Sequence, residues 1–261
     1  MKNKILRNIL TLGIICLVLF EFAIISNATE TVSNNLICWG FKREKNNNQP
    51  SLDLDSKNIL EKYNGFAIGN SEKPYIYLTF DLGYEAGYTS QVLDILKENN
   101  IKASFFITAH YLNTQEILVK RMIEEGHIIG NHTVNHKELV KLSDEEIKEE
   151  INNLSQSIYD KFGYEMTFFR PPKGEYSERV IKIASELNYK TVLWSSAYDD
   201  WDENKQNREA YGKSKILDNL HNGCILLLHA TSKDNMNILD SVIKETISKG
   251  YIFKNLDKFE I

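Results

Sequence analysis

The sequence has few cysteines, so a disulfide framework does not define its fold. Three occur among 261 residues, and Cys16 lies in an apolar run near the N-terminus. For Cys38 and Cys224, a disulfide bond is possible in an exported protein, but two separate thiols are expected. A chain of this length can bury a core large enough to fold without that bond.

The sequence also lacks a basic patch. It holds 31 Lys and Arg against 36 Asp and Glu, and its formal net charge is −5. Residues 1–28 hold three basic side chains and one acidic side chain, so the charge without them is −7. This charge pattern gives no reason to expect nucleic acid or a peripheral membrane surface as a partner.

Residues 1–28 predict a signal peptide. Three basic residues precede an apolar run at residues 9–20, and Ser26-Asn27-Ala28 supplies small residues for cleavage after Ala28. The alternative is an uncleaved anchor, because apolar residues resume after Glu21 and the whole stretch is marginal for a membrane span. In both cases the folded part is exported, and it meets a membrane only through an uncleaved segment.

The rest of the chain has no internal repeat and one Asn-rich tract, within residues 29–73. That segment predicts an irregular N-terminal extension with a short helix at residues 60–63. Its apolar spot at residues 38–41, with the sequence CWGF, is expected to dock onto the folded domain. Residues 74–261 have regular patterns and form the predicted domain.

Within residues 74–261, short apolar runs typical of strands buried on both faces alternate with helical periodicity. Seven such strands predict an α/β fold, a distorted and incomplete (β/α)7 barrel with a short N-terminal extension. The predicted strands are residues 76–80, 103–107, 127–130, 167–169, 190–194, 224–228 and 252–254. The predicted helices include residues 143–162, which open with a capping box, and residues 178–187, 214–221 and 236–249.

Six polar side chains lie at or just after the ends of predicted strands. Because the C-terminal ends of parallel barrel strands meet at one face, these side chains are expected to converge in one pocket. Acids, imidazoles and a guanidinium together favour hydrolysis assisted by a metal ion. The six residues are Asp81, His132, His136, Arg170, Asp200 and His229.

Several of these residues have a structural alternative. Asp81 could cap the helix that follows its strand. If their segment is helical, His132 and His136 face the same way and could share a cation. The other histidines outside this set are interpreted as structural or solvated: His110, His127 and His221.

The neighbouring residues indicate candidate roles for Arg170, Asp200 and His229. Arg170 precedes Pro171-Pro172-Lys173-Gly174, a stiff turn that aims its guanidinium. Asp200 beside Trp201 suits either a sugar-stacking platform or an acid that orients a neighbouring histidine. His229 follows an apolar strand and is a candidate general acid.

These motifs resemble, in order, those of the polysaccharide deacetylases, carbohydrate esterase family 4 with its NodB homology domain. The resemblance covers about residues 74–258 and implies a NodB-like barrel. Further segments resemble the sporulation branch, the δ-lactam-biosynthetic de-N-acetylases of spore cortex. The five motifs are Thr79-Phe80-Asp81, His132 to His136, Arg170 to Gly174, Asp200-Trp201 and Leu227 to His229.

The resemblance implies a role for each matching residue. Asp81 matches the catalytic base, and Arg170 matches the residue that orients it. Asp200 matches the residue that sets the charge of the acid, and His229 matches that general acid. Two further matches concern binding: His132 and His136 match metal ligands, and Leu227 matches an apolar wall around the acetyl methyl group.

One departure affects the metal. The position after the base usually carries a second acid, and here it is Leu82, which cannot coordinate a cation. Three alternatives remain: a weak site for zinc or a similar divalent ion at His132 and His136 with waters, a site that also uses Asp81, or no metal.

The predicted function is removal of the N-acetyl group from peptide-free N-acetylmuramic acid in peptidoglycan, leading to muramic δ-lactam. The alternatives are a deacetylase of N-acetylglucosamine or chitooligosaccharides, and a non-catalytic glycan-binding relative. The expected partner is the peptidoglycan glycan strand, bound by a monomer in the cell wall or the forespore intermembrane space. Lys173 is assigned to the lactyl carboxylate, Trp201 to the sugar, and the backbone amides of Tyr84 and Glu175 to the oxyanion.

Overall fold

A curled sheet of seven parallel strands forms the centre of the computed structural model, which describes residues 32–202 and 204–260. Residues 34–261 form one structural unit. The signal-peptide prediction lies outside the described residues. Within the described part, no helix combines the length and apolar character needed to cross a membrane.

The strands and helices follow the predicted alternation. The strands are β1 (Ile37–Cys38), β2 (Phe41–Lys42), β3 (Ser51–Leu52), β4 (Tyr75–Leu82), β5 (Ser104–Ile107), β6 (Ile128–Asn131), β7 (Phe168–Phe169), β8 (Glu175–Tyr176), β9 (Lys190–Thr191), β10 (Cys224–Leu228) and β11 (Ile252–Lys254). The α-helices are α1 (Leu54–Lys62), α2 (Thr89–Glu98), α3 (Ala109–Thr114), α4 (Glu116–Glu124), α5 (Asp144–Phe162), α6 (Glu178–Glu186), α7 (Glu209–Leu217) and α8 (Lys233–Ser248).

The sheet order confirms the prediction of an incomplete parallel barrel. The strands run β10-β4-β5-β6-β7-β9, and β11 pairs with the first half of β4. After β9 the chain returns to β10 through a parallel bridge between Ser196 and Leu226. The C-terminal ends of the strands therefore surround one common opening.

The two faces of strand β4 differ: one packs in the core, and the other carries residues of the candidate site. Successive side chains of a strand point to opposite faces. One face of β4 packs in the main core with helix residues such as Val92 and Leu96. The opposite face carries Thr79 and Asp81 toward Arg170. The residues on the core face are Ile76, Leu78, Phe80 and Leu82.

The N-terminal extension is more ordered than the prediction of an irregular segment. Helix α1 begins at Leu54 rather than near residue 60, because the Asp53 carboxylate accepts a hydrogen bond from the Ser56 amide at 2.9 Å. The CWGF segment docks as predicted, since Trp39 Nε1 donates to the Trp194 carbonyl at 2.9 Å. Strand β1 also pairs antiparallel with β8.

Two other local predictions have different outcomes. The capping box at Ser143 is present and starts helix α5, which ends at Gly163 in the left-handed conformation, with φ of 62°. The helix predicted at residues 214–221 was misplaced, because α7 covers Glu209–Leu217. Beyond α7 the chain turns, and His221 becomes buried with its Nε2 2.9 Å from Ser195 Oγ.

Cys38 and Cys224 are free thiols. Cys38 is exposed and Cys224 is buried.

Candidate active site

The buried guanidinium of Arg170 positions Asp81, the predicted catalytic base. Its side chain has no solvent exposure, and it donates to the Val192 carbonyl from Nε at 2.9 Å. Its Nη1 donates to Asp81 Oδ1 at 2.7 Å, and its Nη2 donates to Thr79 Oγ1 at 3.1 Å. The guanidinium carbon lies 4.1 Å from the Phe106 ring centroid. A buried charge of this kind requires such pairing, so Arg170 is held in one orientation toward the carboxylate.

This pairing keeps Asp81 ionised. Burial alone would raise the pKa of the Asp81 carboxyl, but the charge and hydrogen bond of Arg170, together with the charge of His229, outweigh it and the pKa lies below its ordinary value. Because Arg170 occupies Oδ1, the second carboxylate oxygen of Asp81 remains directed toward His132. Asp81 lies within strand β4, and the cap interpretation is wrong.

The loop that carries the two candidate metal ligands is not helical, so the condition under which both imidazoles were expected to face the same way is not met. Thr133 and His136 have left-handed φ values of 71° and 54°. The loop is held by side chains instead. Asn131 Oδ1 accepts from the Thr133 amide at 2.9 Å, and the buried carboxylate of Glu150 accepts from the amide and side chain of Asn135, each at 2.8 Å.

Despite the different backbone, the two imidazoles are neighbours, with ring centroids 4.8 Å apart. His132 Nδ1 lies 2.8 Å from the Arg170 carbonyl, and a carbonyl only accepts, so Nδ1 carries the proton and Nε2 carries the lone pair. Burial lowers the pKa of His132, which keeps its ring neutral. A neutral imidazole that donates through its other nitrogen is the usual form of a metal ligand.

The gap between His132 and Asp81 tests whether a cation fits. His132 Nε2 and Asp81 Oδ2 are 3.7 Å apart, and both atoms are hydrogen-bond acceptors. Two facing acceptors need a cation or the protons of a water between them. Among the described residues, however, no group of three or more His, Cys, Asp or Glu side chains is placed to hold a metal ion. Two neutral imidazoles beside a carboxylate are donor types that a divalent ion takes, but as placed here they do not form a three-ligand site. Leu82 adds no ligand, because its side chain lies in the core.

Asp200 holds His229, the predicted general acid, through two hydrogen bonds. Its Oδ1 lies 2.8 Å from His229 Nδ1, and its Oδ2 accepts from the His229 amide at 2.7 Å. Burial would lower the pKa of His229, but the Asp200 charge and hydrogen bond, with a contribution from Asp81, raise it. His229 therefore favours the protonated form, which a general acid requires.

One groove of about 1560 Å³ collects these groups. Asp200 and Arg170 are buried behind His229 and Asp81, whereas the other eight predicted site residues line the groove. Trp201 is 63% exposed, as expected for a platform that a sugar could cover, and Leu227 is buried. The eight lining residues are Asp81, Tyr84, His132, His136, Lys173, Trp201, Leu227 and His229.

Some expectations about the groove change. His110, interpreted as structural or solvated, lines the same groove. The Glu175 amide is not available for an oxyanion, because it donates to the Pro172 carbonyl. The extension contributes to the groove wall through Gly40, Phe41 and Arg43, which was not predicted.

Comparison with known proteins agrees with this geometry. The chain matches the family model described as polysaccharide deacetylase over residues 68–192. It is 41% identical over 229 residues to the peptidoglycan-N-acetylmuramic acid deacetylase PdaA of Bacillus subtilis, covering 87% of each chain. It is 34% identical over 201 residues to a peptidoglycan-N-acetylglucosamine deacetylase of Bacillus cereus, covering 76% of this chain and 72% of that one.

The similarity to these proteins extends to the three-dimensional structure. The solved structure of Bacillus subtilis PdaA, described as a family 4 carbohydrate esterase, is similar with a TM-score of 0.85. The match is 41% identical in sequence and covers 87% of this chain and 98% of that chain.

Proposed function

This chain belongs to the polysaccharide deacetylase family, carbohydrate esterase family 4, and on that premise we propose that it removes the N-acetyl group of peptide-free N-acetylmuramic acid in peptidoglycan. It is a hydrolase acting on amide bonds. One observation carries the proposal: an ionised carboxylate paired with Arg170 and an imidazole paired with Asp200 open into the same groove.

Asp81 acts as the general base. Its Oδ2 takes a proton from the water that attacks the acetamide carbonyl, while Arg170 holds Oδ1 and the orientation of the carboxylate. The lowered pKa makes Asp81 a weak base, but it ensures that the carboxylate is ionised at neutral pH. General base catalysis of this kind contributes about 10²–10⁴-fold to the rate.

His229 acts as the general acid. Because Nδ1 is bonded to Asp200, Nε2 is the nitrogen that gives its proton to the departing amine as the C–N bond breaks. The adjacent carboxylate stabilises the imidazolium before that transfer. Leu227, buried in the groove wall, accommodates the acetyl methyl group.

Deacetylases of this family are generally metal-dependent. A divalent ion such as zinc would be held by His132 and His136, with Asp81 Oδ2 beside it. Once bound, it would supply Lewis-acid polarisation of the acetamide carbonyl. The proton transfers by Asp81 and His229 are those of the protein itself.

Two cations in the groove support muramic acid as the sugar. A peptide-free muramoyl residue carries a free lactyl carboxylate, which N-acetylglucosamine lacks. Arg43 donates to the Ala197 carbonyl at 2.5 Å, and among the described residues no carboxylate pairs with it. Lys173 also lines the groove and lies 3.4 Å from Glu138. An anionic substrate group near Arg43 or Lys173 would therefore gain a charge-assisted hydrogen bond.

We place the reaction outside the cytoplasm, where peptidoglycan lies, on the route to the muramic δ-lactam of spore cortex. The freed amine and the lactyl carboxyl of one sugar would condense to the lactam with loss of water. The relative that carries peptidoglycan-N-acetylmuramic acid deacetylase in its name supports the muramoyl residue as the substrate.

The test compares three substrates with the purified protein: glycan strands stripped of peptide, strands that retain peptide, and N-acetylglucosamine oligomers. Acetate release and product masses are expected to show loss of acetyl groups from muramoyl residues of the stripped strands. Asp81→Asn is the matched control, and it is expected to release none. Deacetylation confined to glucosaminyl residues would replace the proposal with the activity named for the Bacillus cereus relative.

A further inference from the structure

The buried amide of Asn235 contacts the acid side of the site from helix α8. Its residue is 1% exposed, in the first turn of the helix after the N-cap Ser232. Asn235 Nδ2 donates to Asp200 Oδ2 at 2.5 Å and to the His229 carbonyl at 3.1 Å. Its Oδ1 accepts a hydrogen bond from the hydroxyl of Tyr198, a residue of the groove wall.

Asn235 adds a third hydrogen bond to the Asp200 carboxylate. Both of its other hydrogen bonds come from His229, one from the ring and one from the amide. Without a third donor, the carboxylate and the histidine could shift together. Asn235 connects the carboxylate to a different element, and its side-chain amide both donates to Asp200 and accepts from the Tyr198 hydroxyl.

We propose that Asn235 is a positioning residue that acts through Asp200 to hold His229 in its working orientation. The inference rests on the proposed function only in that His229 is the general acid. The neighbouring Asp234 anchors the same helix turn differently, because its carboxylate accepts from the amides of Asn207 and Arg208 at 3.0 and 2.8 Å. The first turn of α8 thus secures both the loop after Asp200 and the carboxylate itself.

The variant Asn235→Ala tests this role, with Asn237→Ala as the matched control. Asn237 lies on the same helix, is exposed, and donates to Glu209. With stripped glycan strands, Asn235→Ala is expected to lower kcat by about 10–100-fold, the usual effect of losing a group that orients a reacting one. KM should stay within about twofold, and Asn237→Ala should match the wild type in both constants.

Two further measurements separate positioning from a general structural effect. In an Asp200→Ala background, adding Asn235→Ala should change kcat by less than about twofold, since the partner through which it acts is gone. Nitrogen-15 NMR of the full chain should show a hydrogen-bonded Nδ1–H at His229 in the wild type and in Asn237→Ala, and its loss in Asn235→Ala.

The NMR result needs no substrate, so it decides the inference even if the enzyme proves to act on another sugar. An unchanged His229 Nδ1–H signal in Asn235→Ala would overturn the proposal. So would an equal loss of kcat in the presence and absence of Asp200, or a rise in KM with kcat unchanged. Failure of acetate release by the wild type on every glycan would instead count against the proposed function alone.

Discussion

Asp200 contacts His229 twice, through the ring nitrogen Nδ1 at 2.8 Å and through the backbone amide at 2.7 Å. The carboxylate is buried, whereas the imidazole reaches the groove. The amide contact holds the carboxylate beside the His229 backbone, and the ring contact fixes the direction of the imidazole, because rotation of the ring would break that hydrogen bond. The free nitrogen Nε2 is thereby presented to the groove.

Replacing Asp200 with Asn should change the pH dependence of the reaction. Burial lowers the pKa of His229, and the Asp200 charge is the largest effect that raises it above its ordinary 6.5. Without that charge the pKa falls, and the protonated acid is lost at lower pH. The alkaline limb of kcat/KM in Asp200→Asn is therefore expected to move to lower pH. An unmoved limb would contradict the assignment of His229 as the acid.

The same pair predicts a pH-dependent difference in stability. Because the pKa of His229 is raised in the folded state, protonation of His229 stabilises the fold. This contribution is complete below the unfolded pKa of 6.5 and is lost as the pH rises through the folded-state pKa. The difference in unfolding free energy between wild type and Asp200→Asn should thus shrink as the pH rises from about 6.5 through that value. Urea unfolding across this range measures it, and a difference that grows with pH would contradict the sign.

Removal of the Arg170 charge should affect the opposite limb. In Arg170→Met, Asp81 loses the largest effect that lowers its pKa, and burial then raises it. The acidic limb of kcat/KM is expected to move to higher pH. Because the substitution leaves a buried carboxylate without its partner, unfolding free energy at neutral pH should fall by about 3–5 kcal/mol.

A matched control for this variant is Arg170→Met combined with Asp81→Asn. Removal of both charges should recover part of the lost stability, while activity stays absent because the base is gone. If the double variant is as unstable as Arg170→Met alone, the stability loss comes from packing around the Phe106 ring rather than from the unpaired carboxylate.

The sequence was informative where a polar residue follows a buried apolar run. Asp81 and His229 each follow such a run, and parallel topology then brings them together. Two further supporting residues, Asn235 and Glu150, were not predicted, because they lie within helices and contact partners distant in sequence. Glu150 had one visible signal: it is an acid on the apolar face of α5, beside Ile151.

The backbone of the histidine loop could not be read from residue spacing. Two histidines four apart are compatible with a helix, but here hydrogen bonds from side chains replace the helical pattern. Thr133 Oγ1 accepts from the His136 amide at 3.0 Å, and Glu150 holds the segment from outside. Such competition of polar side chains with the helix depends on tertiary contacts. The two rings became neighbours all the same.

Selectivity for muramic acid should depend on Arg43 and Lys173. Arg43→Gln and Lys173→Gln each remove a charge from the groove, and each is expected to raise KM for stripped glycan strands by about tenfold, the value of one charge-assisted hydrogen bond. Deacetylation of N-acetylglucosamine oligomers, if detectable, should be unchanged. Lys42→Gln is the control, because Lys42 is exposed beside Arg43 and does not line the groove. Equal effects of all three variants would indicate long-range attraction instead.

Metal binding should depend on His136 and can be measured without any substrate. A ligand that binds only the folded state stabilises it, by about 2.7 kcal/mol at a concentration 100-fold above its Kd. Zinc is therefore expected to raise the thermal midpoint of the metal-free wild type, and His136→Ala should remove that rise because it leaves His132 as the remaining imidazole of the pair. His110→Ala is the control, since it deletes another histidine of the same groove. An equal zinc effect in His136→Ala would place the ion elsewhere, and loss of the effect in His110→Ala would assign His110 to the site.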